Sequence, residues 1–303
     1  MNHIPVLLNE VIEFLDPKPG QRFIDATING GGHSKAIIDK ILSTPTESSE
    51  PEGKLLGIEW DSRIYRNALS IFAEEPYRDH VLIVNDSYAN LSEIVKQKNF
   101  TDSNGILFDL GMSSWHIEES GKGFSFMRLE PLDMRYHNDG VMAADILNNY
   151  REENLEYIIR EYGGESFAKR IAGEIAKFRK NKSFENTFEL VEVIKKAVPF
   201  WYRMRWIHPA TKTFQALRIE VNQELKNIEK GLEEAIKIIK PGGRIAVISF
   251  HSLEDKIIKS KFRQWAKEEK GMIITKKSIK PIYKEIENNP RARSAKLRVF
   301  QKI

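Results

Sequence analysis

Residues 22–34 read Arg-Phe-Ile-Asp-Ala-Thr-Ile-Asn-Gly-Gly-Gly-His-Ser. A short apolar run ends in an acid, Asp25, breaks into three consecutive glycines, and gives way to a helix-compatible stretch from Ser34. Strand, tight turn and helix N-terminus in this order form the place where α/β proteins bind nucleotide-like ligands. Three glycines remove every Cβ from the turn, so backbone N–H groups can approach a ligand with the helix dipole behind them. One strand later, residues 54–61 (Lys-Leu-Leu-Gly-Ile-Glu-Trp-Asp) end in two acids, Glu59 and Asp61. An acid at that point can accept hydrogen bonds from the two hydroxyls of a ribose.

The rest of the chain extends this pattern. Short, continuously apolar runs at 22–27, 55–60, 81–85, 106–110 and 244–250 read as buried parallel strands, and 297–303 reads as a last strand. Helical segments separate the first four, as right-handed βαβ units require. The polar, proline-bearing stretch 43–53 reads as a mobile surface loop. From Trp115 to about Pro209 the alternation stops and two helical stripes appear, one on Leu155, Ile158, Ile159 and Tyr162, the other on Phe167, Ile171, Ile175 and Phe178. A single helix after Thr213 would carry Phe214, Leu217, Val221, Leu225, Ile228 and Leu232 on one face and stop at Lys240-Pro-Gly-Gly. The expected architecture is an α/β domain of residues 1–115 and 209–303, interrupted by a helical insert over 116–208.

Composition narrows the class. The formal net charge over 303 residues is only +4, so nucleic-acid binding must be argued from local clusters. There are no cysteines, which excludes disulfides and thiolate metal sites. The seven histidines include no close ligand pair, and no metal is expected. Glu10, Glu13 and Asp16 near the N-terminus are unlike a signal peptide. No apolar run approaches the ~20 residues needed to span a bilayer. The expectation is a soluble, cytoplasmic protein.

Two ligands suit a glycine turn followed by an acid: a dinucleotide such as NAD, or S-adenosylmethionine (SAM). The Asn29-Gly-Gly-Gly-His33 spacing differs from G-x-G-x-x-G, and Asp25 stands where it would repel a pyrophosphate. SAM carries an ammonium and a sulfonium, which an acid favours. The fourth strand adds Phe108-Asp-Leu-Gly-Met-Ser-Ser114, which puts Asp109 at a strand C-terminus. Asp109 there is either a polar wall of a methyl-donor pocket or the cap of the following turn.

With these segments the chain resembles the RsmH (MraW) family of bacterial ribosomal-RNA cytosine-N4 methyltransferases. The matching stretches are His3-Ile-Pro-Val-Leu-Leu, Asp25 to Ser34, Asp109-Leu-Gly-Met-Ser-Ser and Gly123-Phe-Ser-Phe-Met-Arg. They continue with Pro131-Leu-Asp-Met-Arg, Phe167-Ala-Lys-Arg-Ile-Ala, His208-Pro-Ala-Thr-Lys-Thr-Phe-Gln-Ala-Leu-Arg-Ile, Gly243 to Asp255 and Asn289-Pro-Arg-Ala-Arg-Ser-Ala-Lys-Leu-Arg. The resemblance implies a class I SAM-methyltransferase sheet with an inserted helical domain. It implies methylation of a cytidine in the decoding centre of small-subunit rRNA, with free rRNA or the assembled subunit as partner. By motif position it assigns SAM contacts to Gly31, Gly32, His33, Glu59, Tyr88, Asp109 and His116. The family usually has Asp at Glu59, Phe at Tyr88 and Pro-Gln at Trp115-His116. Glu59 keeps an acceptor and Tyr88 a ring, while His116 replaces an amide with an imidazole. These departures leave open a noncatalytic RNA-binding or assembly factor, and the sheet plan alone leaves open an NAD-dependent oxidoreductase.

An exocyclic cytosine amine is a poor nucleophile, and its enzyme must line it up and accept hydrogen bonds from its NH₂ group. Asp109 or neighbouring carbonyls are the candidate acceptors. Asp133, Arg135, His208, His251 and Ser252 are candidates for the acceptor pocket, or alternatively for interdomain hydrogen bonds. Arg291 and Arg293, after Asn289-Pro290, are candidate phosphate anchors, as are Lys169 with Arg170 and Arg203 with Arg205. Phe200, Trp201, Tyr202 and Trp206 interleave with the last pair. They suit stacking on RNA bases, but composition favours a place for them in the insert's small core, with the charges solvating its outside.

Overall fold

In a computed structural model, residues 4–42 and 53–303 are described; the predicted loop at 43–53 lies outside them except for its last residue. Seven strands form one sheet: β1 Arg22–Asp25, β2 Lys54–Glu59, β3 Val81–Asn85, β4 Ser103–Asp109, β5 Ile239–Ser249, β6 Gly271–Ile273 and β7 Lys296–Lys302. Their order is β3-β2-β1-β4-β5-β7-β6. β1 to β5 pair in parallel, and β7 runs antiparallel to both of its neighbours. The three residues of β6 carry too little periodicity to mark a strand in the sequence.

Alternation along the strands gives the sheet two apolar faces. Ile24, Leu56, Ile106 and Val247 face one core, completed by Leu91, Ile228, Leu232, Ile258 and Phe262. Phe23, Leu55, Leu107 and Ile248 face the other, completed by Val11, Leu15, Ile37, Ile38 and Ala68. Such continuously apolar strands are expected where helices cover both faces of a parallel sheet. Strand order reverses between β1 and β4, which are neighbours. Crossovers leaving this point run to opposite sides and open a crevice at the strand C-termini. Asp25 and Asp109, the last residues of β1 and β4, stand there.

The chain divides into two compact units, Met1–Gly111 with Leu225–Ile303, and Met112–Glu224. The second is helical. Its core is built by Leu155, Ile158, Ile159, Ile171, Ile175, Leu190, Ile194, Phe214 and Leu217, so both predicted stripes face it. Its limits are wider than the expected 116–208, because the helix Thr211–Val221 packs here rather than on the sheet. The single long helix expected after Thr213 is in fact two, Thr211–Val221 and Glu224–Ile238. Gln223 takes a φ of 50° between them. Asn222 holds the break, donating to the carbonyl oxygens of Met134 (2.8 Å) and Arg218 (3.0 Å) and accepting the Tyr136 N–H (2.9 Å). Continuous apolar spacing hid the break, because each half of the stripe is buried in a different core. Among the described residues no helix is long and apolar enough to cross a membrane.

Candidate active site

The glycine turn is held by acids at the ends of two strands. Asp25 Oδ2 accepts the Ser34 hydroxyl at 2.6 Å and Oδ1 accepts the Thr27 N–H at 3.2 Å. One carboxylate therefore ties together both ends of the turn. Burial pushes its pKa up to about 6, opposed by these two hydrogen bonds. Glu59, at the end of β2, accepts the Asn29 N–H on Oε2 at 3.1 Å and the Asp61 N–H on Oε1 at 2.9 Å. Burial pushes Glu59 up to about 8. Glu59 is buried, and its carboxylate also accepts from the Trp60 backbone, which leaves one of its four lone-pair sites.

Within the turn, Gly31 has a φ of 75°, a left-handed conformation that strains any residue with a Cβ. At Gly32 the reason for glycine is space: a Cβ there would lie 3.1 Å from Pro5. His33 follows in the first turn of the helix Gly32–Ile41. Its Nε2 donates to the Val6 carbonyl at 2.9 Å, since a carbonyl can only accept. Its Nδ1 lies 3.5 Å from Asp109 Oδ2.

Asp109 differs from the other two acids. Its N–H donates to the Thr27 hydroxyl at 2.6 Å, which fixes the end of β4 against the turn. Its second carboxylate oxygen, Oδ1, is buried without a hydrogen-bond partner among the described residues. Burial, then the negative charges of Asp25 and Glu254, hold its pKa well above the usual carboxylate range. A buried carboxylate oxygen with no donor is costly unless something at the site pairs with it.

Tyr88, after β3, sets its ring edge-on to Phe108 at 5.6 Å. It packs on the sheet core, against the helix Glu224–Ile238 at Gly231.

A family model described as the MraW methylase family matches residues 1–303. The chain belongs to this family. Among its relatives are proteins named ribosomal RNA small subunit methyltransferase H. That of Dictyoglomus thermophilum is 44% identical over 302 residues, covering 99% of this chain and 96% of the relative. That of Clostridioides difficile is 42% identical over 320 residues, covering 100% and 99%. That of a Sulfurihydrogenibium species is 42% identical over 304 residues, covering 100% of both. As a MraW methylase, the protein is a SAM-dependent methyltransferase. Its residues fit that donor. Buried acids converge where the strands end, and the open Asp109 oxygen is an acceptor suited to a cationic group.

The remaining sequence candidates sit in varied settings. His116, in the helical unit, is buried, accepts the Ser113 N–H on Nδ1 at 3.2 Å and packs on Phe124 and Tyr136 at 5.1 and 4.8 Å. Asp133 and Arg135 pair with each other at 2.7 Å, and Arg135 also donates to the carbonyls of Asn138 and Gly140. His208 stacks on Phe126 at 4.6 Å and accepts the Ala210 N–H at 3.2 Å; burial, then the charge of Lys195, lowers its pKa. His251 caps the helix Ser252–Lys267, with its Nε2 3.2 Å from Glu254, and Ser252 is exposed. Arg291 and Arg293 are exposed on a short turn, Pro290–Ser294, pinned by buried Ala292. Sequence reasoning passed over Thr27, Ser34 and Glu254. The His251-x-x-Glu254 spacing of a capping box was the available signal for Glu254.

Proposed function

We propose that this methyltransferase acts on small-subunit ribosomal RNA, at the exocyclic N4 amine of a cytidine in the decoding centre. The observation that carries the chemistry is the buried Asp109 Oδ1, an acceptor with no partner beside the glycine turn. The names of full-length relatives at 42–44% identity support the RNA class.

On this reading Gly31, Gly32 and His33 line the donor, Glu59 accepts from its ribose and Tyr88 packs beside it; motif position adds His116 to this assignment. When bound, S-adenosylmethionine supplies an electrophilic methyl group on a sulfonium. The amine's lone pair is delocalised into the cytosine ring, so its reaction depends on positioning and on acceptors. Asp109 Oδ1 accepts an N–H from the amine and takes the proton released as the new C–N bond forms. A raised pKa suits it to hold that proton afterwards. His33, itself anchored on the Val6 carbonyl, places its ring beside Oδ2. The target base leaves its stack to reach such a site. Asp133, Arg135, His208, His251 and Ser252 are assigned to the acceptor side, and Arg291 and Arg293 to phosphates.

The test is methyl transfer from labelled SAM to small ribosomal subunits and to free rRNA, followed by mass spectrometry of the nucleosides. N4-methylcytidine is the expected product. SAM binding with the label on another nucleoside would overturn the cytidine assignment. Failure to bind SAM at millimolar concentration would remove the site.

A further inference from the structure

The aromatic cluster of the helical unit has no place in the site described above. Residues 195–212 contain five lysines and arginines and no acid. Within them, the short helix Phe200–Arg203 leads into a bend. One ring anchors it. Tyr202 is buried, donates its hydroxyl to Glu165 Oε2 at 2.6 Å and sets its ring against Phe167 at 4.9 Å. Trp201 packs edge-on against Phe167 and Tyr202 at 6.0 and 5.8 Å but, like the other neighbouring rings, stays open to solvent. Trp206 is 90% exposed, Phe200 73% and Trp201 57%, with Met204 and Ile207 also exposed.

These rings therefore do not form the core of the insert, which is closed by other side chains. Large apolar groups gathered on a surface mark an interaction site. The cations identify the partner's chemistry. The Arg205 guanidinium lies 5.0 Å over Trp201 and 4.8 Å over Tyr202, and Arg170 lies 5.7 Å over Phe167. Rings interleaved with arginines, with no acid in the segment, present π-faces and positive charge together. That is the combination single-stranded nucleic acid takes, bases on rings and phosphates on cations.

We propose that the segment from Phe200 to Ile207 is a stacking platform for single-stranded RNA. Unpaired bases lie on Trp206 and Phe200, and Arg205 faces the phosphates, while Arg203 holds the Val198 carbonyl. The proposal rests on the rRNA reading for its biological substrate, but its physical claim is RNA binding by this segment.

The test measures anisotropy of a labelled single-stranded RNA of about 12 nucleotides, within the range one binding surface spans, titrated with full-length protein. Trp206→Ala and, separately, Phe200→Ala are each expected to weaken binding by about fivefold to 150-fold. The slope of affinity against salt should stay at the wild-type value, because stacking releases no counterions. Trp206→Phe, which keeps a ring, should recover most of the loss. Arg205→Gln should instead flatten the slope. SAM affinity and the melting curve are controls and should not move. Wild-type RNA affinity in both alanine variants overturns the platform, and does so whether or not the wild-type protein methylates ribosomal subunits. Loss of binding to anionic phospholipid vesicles, with RNA binding intact, would make this a membrane-facing surface and also overturn the proposal. Absence of methyl transfer, with the stacking loss observed, defeats the rRNA-methylation reading alone.

Discussion

His33 Nδ1 lies 3.5 Å from Asp109 Oδ2, while the other oxygen of the same carboxylate is buried without a hydrogen-bond partner. One side chain thus has an oriented face and an open face. Asp109→Asn keeps the shape and removes the charge. It is expected to lower methyl transfer by at least about a hundredfold. It should also weaken SAM binding, because the attraction between the carboxylate and the donor's positive charge is lost. The melting temperature should change little, because the amide fills the same space as the carboxyl group it replaces. Calorimetry and a transfer assay check both, and wild-type turnover would exclude Asp109 from the site.

Acids held above their ordinary values give the unliganded protein a defined pH response. Glu59 moves from 4.5 to about 8 and Asp25 from 3.8 to about 6, both mainly through burial. Between those values the folded chain binds more protons than the unfolded chain. Stability is therefore fully present at the low-pH side and falls as pH rises through the window. The melting temperature of the ligand-free protein is expected to decline from pH 4.5 to 8. A cationic donor favours the ionised acids, so SAM should bind more tightly across the rise from 6 to 8, with protons released. Calorimetry in two buffers of different ionisation enthalpy reads that release. An affinity flat over this range would contradict the assignment.

Gly31→Ala tests the turn. With φ at 75° and Phe72 3.1 Å from the added Cβ, the variant should lose about 1–2 kcal/mol in urea denaturation. Unchanged stability would mean that the turn relaxes freely.

Tyr202→Phe removes the hydroxyl that Glu165 accepts at 2.6 Å. Burial, then this hydrogen bond, pushes the Tyr202 pKa up to about 12, which keeps it a donor at every working pH. Glu165, 1% exposed, would lose that donor. A cost of about 1–3 kcal/mol is expected, read as a lower denaturation midpoint.

Arg291→Ala and Arg293→Ala probe the other cationic turn. Each should lower RNA affinity and reduce the salt slope by about 0.7, the value for one phosphate of a single strand. A filter-binding titration with an unaltered slope would remove both arginines from the RNA path.

The parts of the site that the sequence revealed are those fixed by short-range rules. Asp25, Glu59 and Asp109 end apolar runs, and strand ends are where open parallel sheets place ligand groups. Gly31 could be singled out because a left-handed turn needs glycine. The family motifs, spread from end to end, carried the activity. The strands themselves were readable from continuous apolar runs, except β6, which is too short to show a period.

What remained hidden depends on neighbours distant in the chain. Asp25 looked like the acid facing the ligand, yet Ser34 and Thr27 occupy its oxygens, and Asp109 has the open one. One apolar stripe after Thr213 proved to be two helices feeding two cores, since spacing records that a side chain is apolar but not which core receives it. The composition of 200–206 favoured a small core, and exposed Phe200, Trp201 and Trp206 correct that expectation. Packing buried Tyr202 and left Trp206 outside, a choice made by Glu165 and Phe167 more than thirty residues away. Where strands end in acids and where the backbone must turn can be read along the chain, because those features depend on adjacent residues. Which acid stays unpaired and which rings meet solvent follow from the packed fold, because burial is a property of the whole assembly of contacts.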